Sequence, residues 1–183
     1  MRAPTDQELV VLVDDDGRPV GTAPKATVHT ARTPLHRAFS CYVFDAAGRL
    51  LVTRRAESKA TFPALWTNTV CGHPGPGEDD TAAVARRAAG ELGISVHDVT
   101  CALPRFRYRA EHGGIVENEI CPVYLARTDD QPQPDPAEVT AHDWATWPQL
   151  LDRLAADETA WSPWCRLQVA ELADAVAAYL AAS

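Results

Sequence analysis

The sequence predicts an α+β fold in which a mixed β-sheet lies between α-helices, in one domain spanning residues 1–183. Three observations predict it. Short apolar segments of strand length come first, one amphipathic helix interrupts them, and further strands followed by helices close the chain. The 183 residues suffice to bury a core, and the hydrophobic share of 46% is ordinary for a globular protein. No internal repeat or low-complexity tract, beyond richness in alanine, suggests another architecture.

Charge and composition narrow the function. A net charge of −8 leaves no basic footprint for nucleic acid, so an anionic substrate must be held by local cations or metals. The five cysteines are odd in number and contain no CxxC pair, which argues for a reducing compartment over a disulfide framework. The start, MRAPTDQELV, lacks the apolar run of a signal peptide, and no apolar stretch reaches the roughly 18 residues of a membrane span. The expectation is a soluble cytoplasmic protein with no nucleic-acid or membrane partner. Its oligomeric state is left open, and a monomer is compatible with the pattern.

In chain order, Glu8 to Asp14 reads as a strand, Asp15-Asp16-Gly17 as its turn and Val20 to Thr22 as a short return strand. Lys25 to His36 is polar and turn-rich; without a third partner its His29 and His36 read as ordinary surface histidines. Ala38 to Asp45 and Arg49 to Arg54 flank Ala46-Ala47-Gly48 as a hairpin. Arg54, Arg55 and Lys59 then form either a solvated basic end or, with Lys25, a diphosphate clamp. Asp79 to Leu92 reads as a helix, with capping residues before it, Gly93 after it, and Val84, Ala88 and Leu92 on one stripe. Arg87 and Glu91, four apart, read as a surface ion pair.

Arg105 to Ala110 reads as a strand carrying Tyr108, and Ile115 to Ala126 as its partner across a His112-Gly113-Gly114 turn. Glu117 and Glu119 then share one strand face, where two carboxylates repel unless exposed to water or bridged by a cation. Gln131 to Pro136 is a stiff loop, His142 to Thr146 a short strand and Pro148 to Asp157 a short helix. Ser162-Pro163 starts the last helix, whose packing stripe runs Cys165, Val169, Leu172, Val176 and Tyr179.

The chemistry concentrates between Trp66 and Gly93. Cys71, His73, the glycines Gly72, Gly75 and Gly77, and an acidic helix start fall within one stretch. Loop N–H groups and a helix N-terminus favour anions, so the stretch reads as a site for a phosphorylated substrate with a metal. Cys71 alone would more often be a small buried apolar residue; here the helix dipole and basic neighbours favour a thiolate. Cys41, Cys101, Cys121 and Cys165 read as structural, and His97, His112 and His142 as surface or turn histidines.

Tested against the Nudix signature, G-x5-E-x7-R-E-U-x-E-E-x-G-U with U a bulky aliphatic, this stretch supplies Gly72, Glu78, Arg86, Glu91, Gly93 and Ile94. Arg87 and Gly90 replace glutamates, and Ala88 stands at an aliphatic position. The chain resembles the Nudix fold with its hydrolytic set reduced. More specifically, HTARTPLHRAFS, LLVTRRAESK, WTNTVCGHP, FRYRA, GIVENEICPV and WSPW resemble, in order, segments of the type I isopentenyl-diphosphate isomerases, a Nudix-fold family.

That resemblance implies a set of roles. His29, His36, His73, Glu117 and Glu119 would bind one Mn²⁺, Mg²⁺ or Zn²⁺. Glu91 and the Cys71 carbonyl would hold the Mg²⁺ that bridges the substrate diphosphate. Lys25, Arg55 and Lys59 would contact the diphosphate. Cys71 and Glu119 would transfer protons with support from Tyr108, and Trp164, otherwise a packing residue, would line the isoprenyl pocket. The implied activity is interconversion of isopentenyl and dimethylallyl diphosphate, for isoprenoid biosynthesis. The alternatives are a Nudix diphosphohydrolase, disfavoured by Arg87 and Gly90, or an isomerase-like enzyme recruited to another isoprenoid diphosphate.

Overall fold

The computed structural model describes residues 8–182. Its centre is a pair of parallel chain segments that run through two sheets. The first consists of β3 (His36–Arg37) and β4 (Phe39–Phe44), the second of β10 (Ile115–Ile120) and β11 (Val123–Arg127). β3 pairs with β10, His36 opposite Glu119, and β4 pairs with β11, Ser40 opposite Val123. Both segments break at the same level. Backbone hydrogen bonds from Ala38 N to Ile120 O and from Ser40 N to Pro122 O carry the pairing across the break.

The predicted single strand from Ile115 to Ala126 is therefore two strands. Pro122 has no N–H to give a ladder, and the chain changes sheets at Cys121-Pro122. One sheet runs β2-β1-β3-β10-β9, with β1 (Leu9–Val13), β2 (Pro19–Pro24) and β9 (Arg107–His112). The other runs β12-β5-β4-β11-β8, with β5 (Leu50–Arg55), β8 (His97–Leu103) and β12 (Val139–Ala145). The α+β class holds, but with two sheets in place of one.

The second sheet lies between helices. Phe39, Cys41, Val43 and Leu51 face α2 (Asp80–Leu92), packing on Ala83, Val84, Ala88 and Leu92. Tyr42, Phe44, Leu50 and Val52 face the other way, onto Cys165, Val169, Leu172 and Val176 of the last helix, α4 (Pro163–Ala181). This alternation is the strand period of two meeting the helix stripes predicted from the sequence. The caps match as well: Asp79 accepts from Thr81 N, Gly93 takes the left-handed conformation at φ 64°, and Ser162 accepts from Cys165 N. Before α4, α3 (Trp147–Ala156) begins with a reciprocal Thr146–Gln149 capping box.

Other boundaries differ from the sequence reading. A one-turn helix, α1 (Lys25–Val28), occupies the segment read as irregular. β8 has no alternation because most of its side chains are exposed or half-buried, so the pattern gave no strand signal. Cys101 in it is exposed, in contrast to the buried Cys41, Cys121 and Cys165. β2 and β12 extend beyond their expected cores.

The predicted hairpin of Ala38–Asp45 and Arg49–Arg54 closes at its turn and then opens. β4 and β5 share only the pair Phe44–Leu50. A wedge enters the gap: β6 (Trp66–Thr67) pairs with β5, and β7 (Val70–Gly72) pairs with β4. Side chains at the wedge tip complete the broken ladder. The Thr69 hydroxyl accepts from Val43 N at 2.8 Å and donates to Leu51 O at 2.6 Å, while Thr53 Oγ1 donates to Asn68 O at 2.9 Å. Buried backbone groups must be satisfied, which explains why this tip is built from Thr-Asn-Thr.

Replacing Thr69 by Val keeps shape but orphans both backbone groups, so stability should fall by about 2–4 kcal/mol. Thr100→Val on exposed β8 should shift it by no more than about 0.5 kcal/mol. Urea unfolding compares the two; equal midpoints would refute the bridging role of Thr69.

Candidate active site

A cavity of about 500 Å³ opens where the two sheets, α1 and the start of α4 meet. Its wall includes Lys25 and His29, Arg55 and Lys59, Cys71 and His73, Arg87 and Glu91, Tyr108, Glu117, Glu119 and Trp164. Every residue given a role by the family resemblance therefore lines it except His36, which lies fully buried beside it, while Arg54 of the expected clamp is outside the lining and donates from Nε to Ala64 O at 2.9 Å.

The histidines converge although they come from three separate places in the chain. His36 sits in β3 opposite Glu119, His29 follows α1, and His73 follows β7. His36 Nε2 lies 3.2 Å from His73 Nε2 and 3.4 Å from Glu119 Oε1, and His73 Nε2 lies 3.1 Å from the same carboxylate oxygen. Ligand atoms of His29, His36, His73 and Glu119 all fall within 4.8 Å of one another. Glu117 joins through His29, its Oε2 3.0 Å from His29 Nε2. Both of these atoms are buried, and neither has a hydrogen-bond partner.

This donor set fits one divalent metal ion. Ligands about 2.1 Å from an ion in octahedral geometry stand about 3 Å apart when adjacent and about 4.2 Å when opposite. The close contacts match adjacent positions, and the orphaned His29–Glu117 pair gains a common partner. The surroundings hold the ligands in orientation: His36 Nδ1 contacts Pro34 O at 2.9 Å, and Thr61 Oγ1 donates to Glu117 Oε1 at 2.7 Å. Without the ion the histidines already polarise the carboxylate. Burial works to raise the Glu119 pKa, but hydrogen bonds from His36 and His73 outweigh it and hold the group well below the usual range. Burial, with the charges of His36 and Lys25, carries the His73 pKa down against the Glu119 contact, whereas for His36 the Glu119 contact overcomes burial and raises it.

Cys71 faces the cavity from β7. Its thiol donates to Asn68 Oδ1 at 3.2 Å and lies 3.4 Å from Ser40 Oγ. Burial pushes the thiol up to about 11, against its contacts with Ser40 and Asn68 and the charge of Arg55. The fold thus presents a thiol at neutral pH, in place of the thiolate expected from the sequence. Trp164 forms the adjoining wall at the start of α4, 5.8 Å from the Tyr108 ring and edge-on to Phe62 at 5.4 Å. Arg55 lies over its ring, with Cζ 5.3 Å from the centroid. Tyr108 is the cross-strand neighbour of Glu119, and burial together with the Glu119 charge keeps its phenol protonated.

The cavity mouth is a set of matched charges. Lys25 pairs with Glu8 at 2.9 Å, Lys59 pairs with Glu138, and Arg87 pairs with Glu91 while approaching Glu138 at 3.7 Å and Glu8 at 3.9 Å. The Arg87–Glu91 pair read as a surface feature is in fact inside, because α2 turns that face toward the cavity. Gly72 makes room for it: a Cβ there would stand 2.9 Å from Arg87 Cγ. Burial raises the Glu91 pKa, and Arg87 opposes the shift. Glu91 and Glu117 are both outside the group formed by His29, His36, His73 and Glu119.

Sequence reading missed several of these contributors. Glu8 was assigned only to a strand. Glu138 follows the loop after residue 136, and no local spacing links it to α2. Ser40 hides inside an apolar strand. Asn68 carried a signal, an amide three residues before the cysteine in a run of polar residues too short to be a loop. The outlying His97, His112 and His142 are exposed, as expected.

The comparisons with known proteins agree with this geometry. A family model described as NUDIX domain matches residues 34–165. The chain is 55% identical to the isopentenyl-diphosphate Delta-isomerase of Saccharopolyspora erythraea, over 91% of this chain and 87% of that one. It is 57% identical to the protein of the same name from Mycolicibacterium vanbaalenii, over 88% and 90%. A Deinococcus radiodurans crystal structure superposes with a TM-score of 0.65 at 25% identity, covering 87% of this chain and 96% of that one. A MutT NUDIX hydrolase from Burkholderia pseudomallei shares the fold with a TM-score of 0.59 at 20% identity, over 75% and 98%. The fold and the matched domain define a Nudix protein. Within that class, the chain belongs to the isopentenyl-diphosphate Delta-isomerase family.

Protein purified without chelator should carry about one divalent ion per chain in the histidine–glutamate site. His36→Ala should lose it while remaining folded. Elemental analysis with circular dichroism reads both, and retention of the ion by the variant would exclude His36 as a ligand.

Proposed function

We propose that this protein interconverts isopentenyl and dimethylallyl diphosphate by protonation and deprotonation at Cys71 and Glu119. The observation that carries the roles is the shared cavity: a thiol from β7 and a carboxylate from β10 face one space walled by Tyr108 and Trp164. The reaction adds a proton to the terminal CH₂ carbon, which leaves a tertiary carbocation. A proton then leaves the neighbouring CH₂, and its electron pair forms the new double bond. One group must hold a proton when the other lacks it, and each turnover passes one proton through the substrate. The thiol of Cys71 and the ionised carboxylate of Glu119 form such a pair.

Several residues of this chain prepare the step. Tyr108, kept as a phenol, offers its hydroxyl beside Glu119. The low polarity around Trp164 and Phe62 excludes the water that would quench a cation. The Trp164 face attracts positive charge, worth on the order of 0.5–2 kcal/mol, and the Arg55 guanidinium over the ring supports this reading. Lys25, Arg55 and Lys59 take the diphosphate, and Glu91 with the Cys71 carbonyl receives the Mg²⁺ that travels with it. His29, His36, His73, Glu117 and Glu119 hold the resident ion, for which mixed nitrogen and oxygen donors favour Mn²⁺ or Mg²⁺ while also admitting Zn²⁺. When bound, that ion supplies a fixed positive charge that holds the carboxylates in place. A hydrolase would need the glutamates that Arg87 and Gly90 replace, and Arg87 here neutralises the one that remains.

Incubation of isopentenyl diphosphate with the protein and Mg²⁺ in D₂O should yield dimethylallyl diphosphate carrying deuterium, read by NMR. Cys71→Ala should reduce turnover by at least about 1,000-fold without unfolding. Release of phosphate, or near-normal turnover by the variant, would sink the assignment. Trp164→Phe should retain more activity than Trp164→Ala, because only the former keeps an aromatic face. Equal kcat in the two variants would remove the cation-stabilising role.

A further inference from the structure

Cys71 and Trp164 are fastened to the same atom. The Cys71 thiol reaches Asn68 Oδ1 at 3.2 Å, Trp164 Nε1 donates to it at 3.2 Å, and the Thr67 hydroxyl donates at 2.9 Å. Asn68 is fully buried, and its amide has one possible orientation: both Nδ2 hydrogens are committed, to Cys41 O and Val70 O, each at 3.0 Å. Those two carbonyls belong to β4 and β7, so the oxygen is set by the sheet itself. The sulfur has a second fixed neighbour in Ser40 Oγ at 3.4 Å, and Ser40 in turn accepts from Gln168 Nε2 at 2.9 Å. Gln168 belongs to α4, as does Trp164, and its Oε1 accepts from Tyr42 OH at 2.9 Å.

We infer that Asn68 is a positioning residue, whose side-chain oxygen sets the Cys71 thiol and the Trp164 ring at a fixed separation and angle on either side of the reacting carbons. This inference rests on the roles given above to Cys71 and Trp164. A thiol side chain has one rotatable bond to sulfur and one to hydrogen, and a loose thiol samples several directions. The Asn68 and Ser40 contacts select one sulfur position. The same oxygen prevents the indole from sliding along α4, so the cation-attracting face and the proton-carrying sulfur move together or not at all. Because the amide is saturated by the sheet, the placement exists before substrate arrives.

The two ends of Asn68 can be separated by substitution. Asn68→Leu removes the acceptor and the donors. Asn68→Asp keeps oxygen at the acceptor position and loses the donors to Cys41 O and Val70 O. With isopentenyl diphosphate as substrate and Cys71→Ala as the reference, Asn68→Leu should lower kcat by about 100-fold. Its KM should stay within about threefold. Asn68→Asp should melt at a lower temperature than wild type yet keep kcat within about tenfold of it. The Asp variant is judged against wild type, so it remains decisive if the Leu variant does not fold. Full kcat in Asn68→Leu, or a 100-fold loss in Asn68→Asp, would overturn the inference and leave Cys71 standing. An active Cys71→Ala would overturn the role of Cys71 and the inference with it.

Discussion

The register between β3 and β10 is the constraint on which the site depends. With His36 opposite Glu119 in a parallel pair, a buried imidazole and a buried carboxylate are brought together by backbone hydrogen bonds, before any metal or substrate contributes. A slip of one residue would turn Glu117 and Glu119 away from the cavity, because side chains alternate along a strand. The same pair continues into the second sheet, where Ser40 stands behind Cys71 and Val123 enters the core. One pairing thus fixes the histidine–glutamate cluster at one end and the support of the thiol at the other.

The wedge of Thr67 to Gly72 performs the complementary task. It opens the β4–β5 hairpin and thereby cuts a recess into what would otherwise be a closed sheet. Cutting a sheet exposes unpaired backbone, and Asn68 and Thr69 restore those partners with their side chains. Cys71 arrives in the recess as a consequence of that repair. Rigidity and site are therefore inseparable here, since the residues that heal the sheet also surround the Cys71 thiol.

Much of this was legible in the sequence because it is local. The α2 caps, the α4 stripe and the alternation that puts Glu117 and Glu119 on one face follow from spacing alone. Motif resemblance brought His29, His36 and His73 together, although their separation in the chain gives no local sign of contact. What stayed hidden depends on tertiary placement. The hairpin opens because a distant segment enters it, and no feature of Ala38–Asp45 announces that. The break at Cys121-Pro122 was visible as a proline, but a continuous apolar run around it masked the change of sheet. Cys71 was read from its charged neighbours, whereas its burial outweighs them and leaves it protonated. Glu138 entered the cavity through a long loop, beyond the reach of any pattern.

The matched charges at the cavity mouth have a bearing on selectivity. Lys25, Lys59 and Arg87 are each held by a carboxylate, so these three cations offer no bare positive surface, while Arg55 lies against the Trp164 ring and the Thr61 and Phe62 carbonyls. A simple anion that took these cations would strand Glu8, Glu91 and Glu138 in a confined space, at the cost of their mutual repulsion. A diphosphate that comes with its own divalent cation offers both halves of the exchange. On the proposed reading such a mouth would take a salt in preference to a bare ion, a filter that needs no moving part.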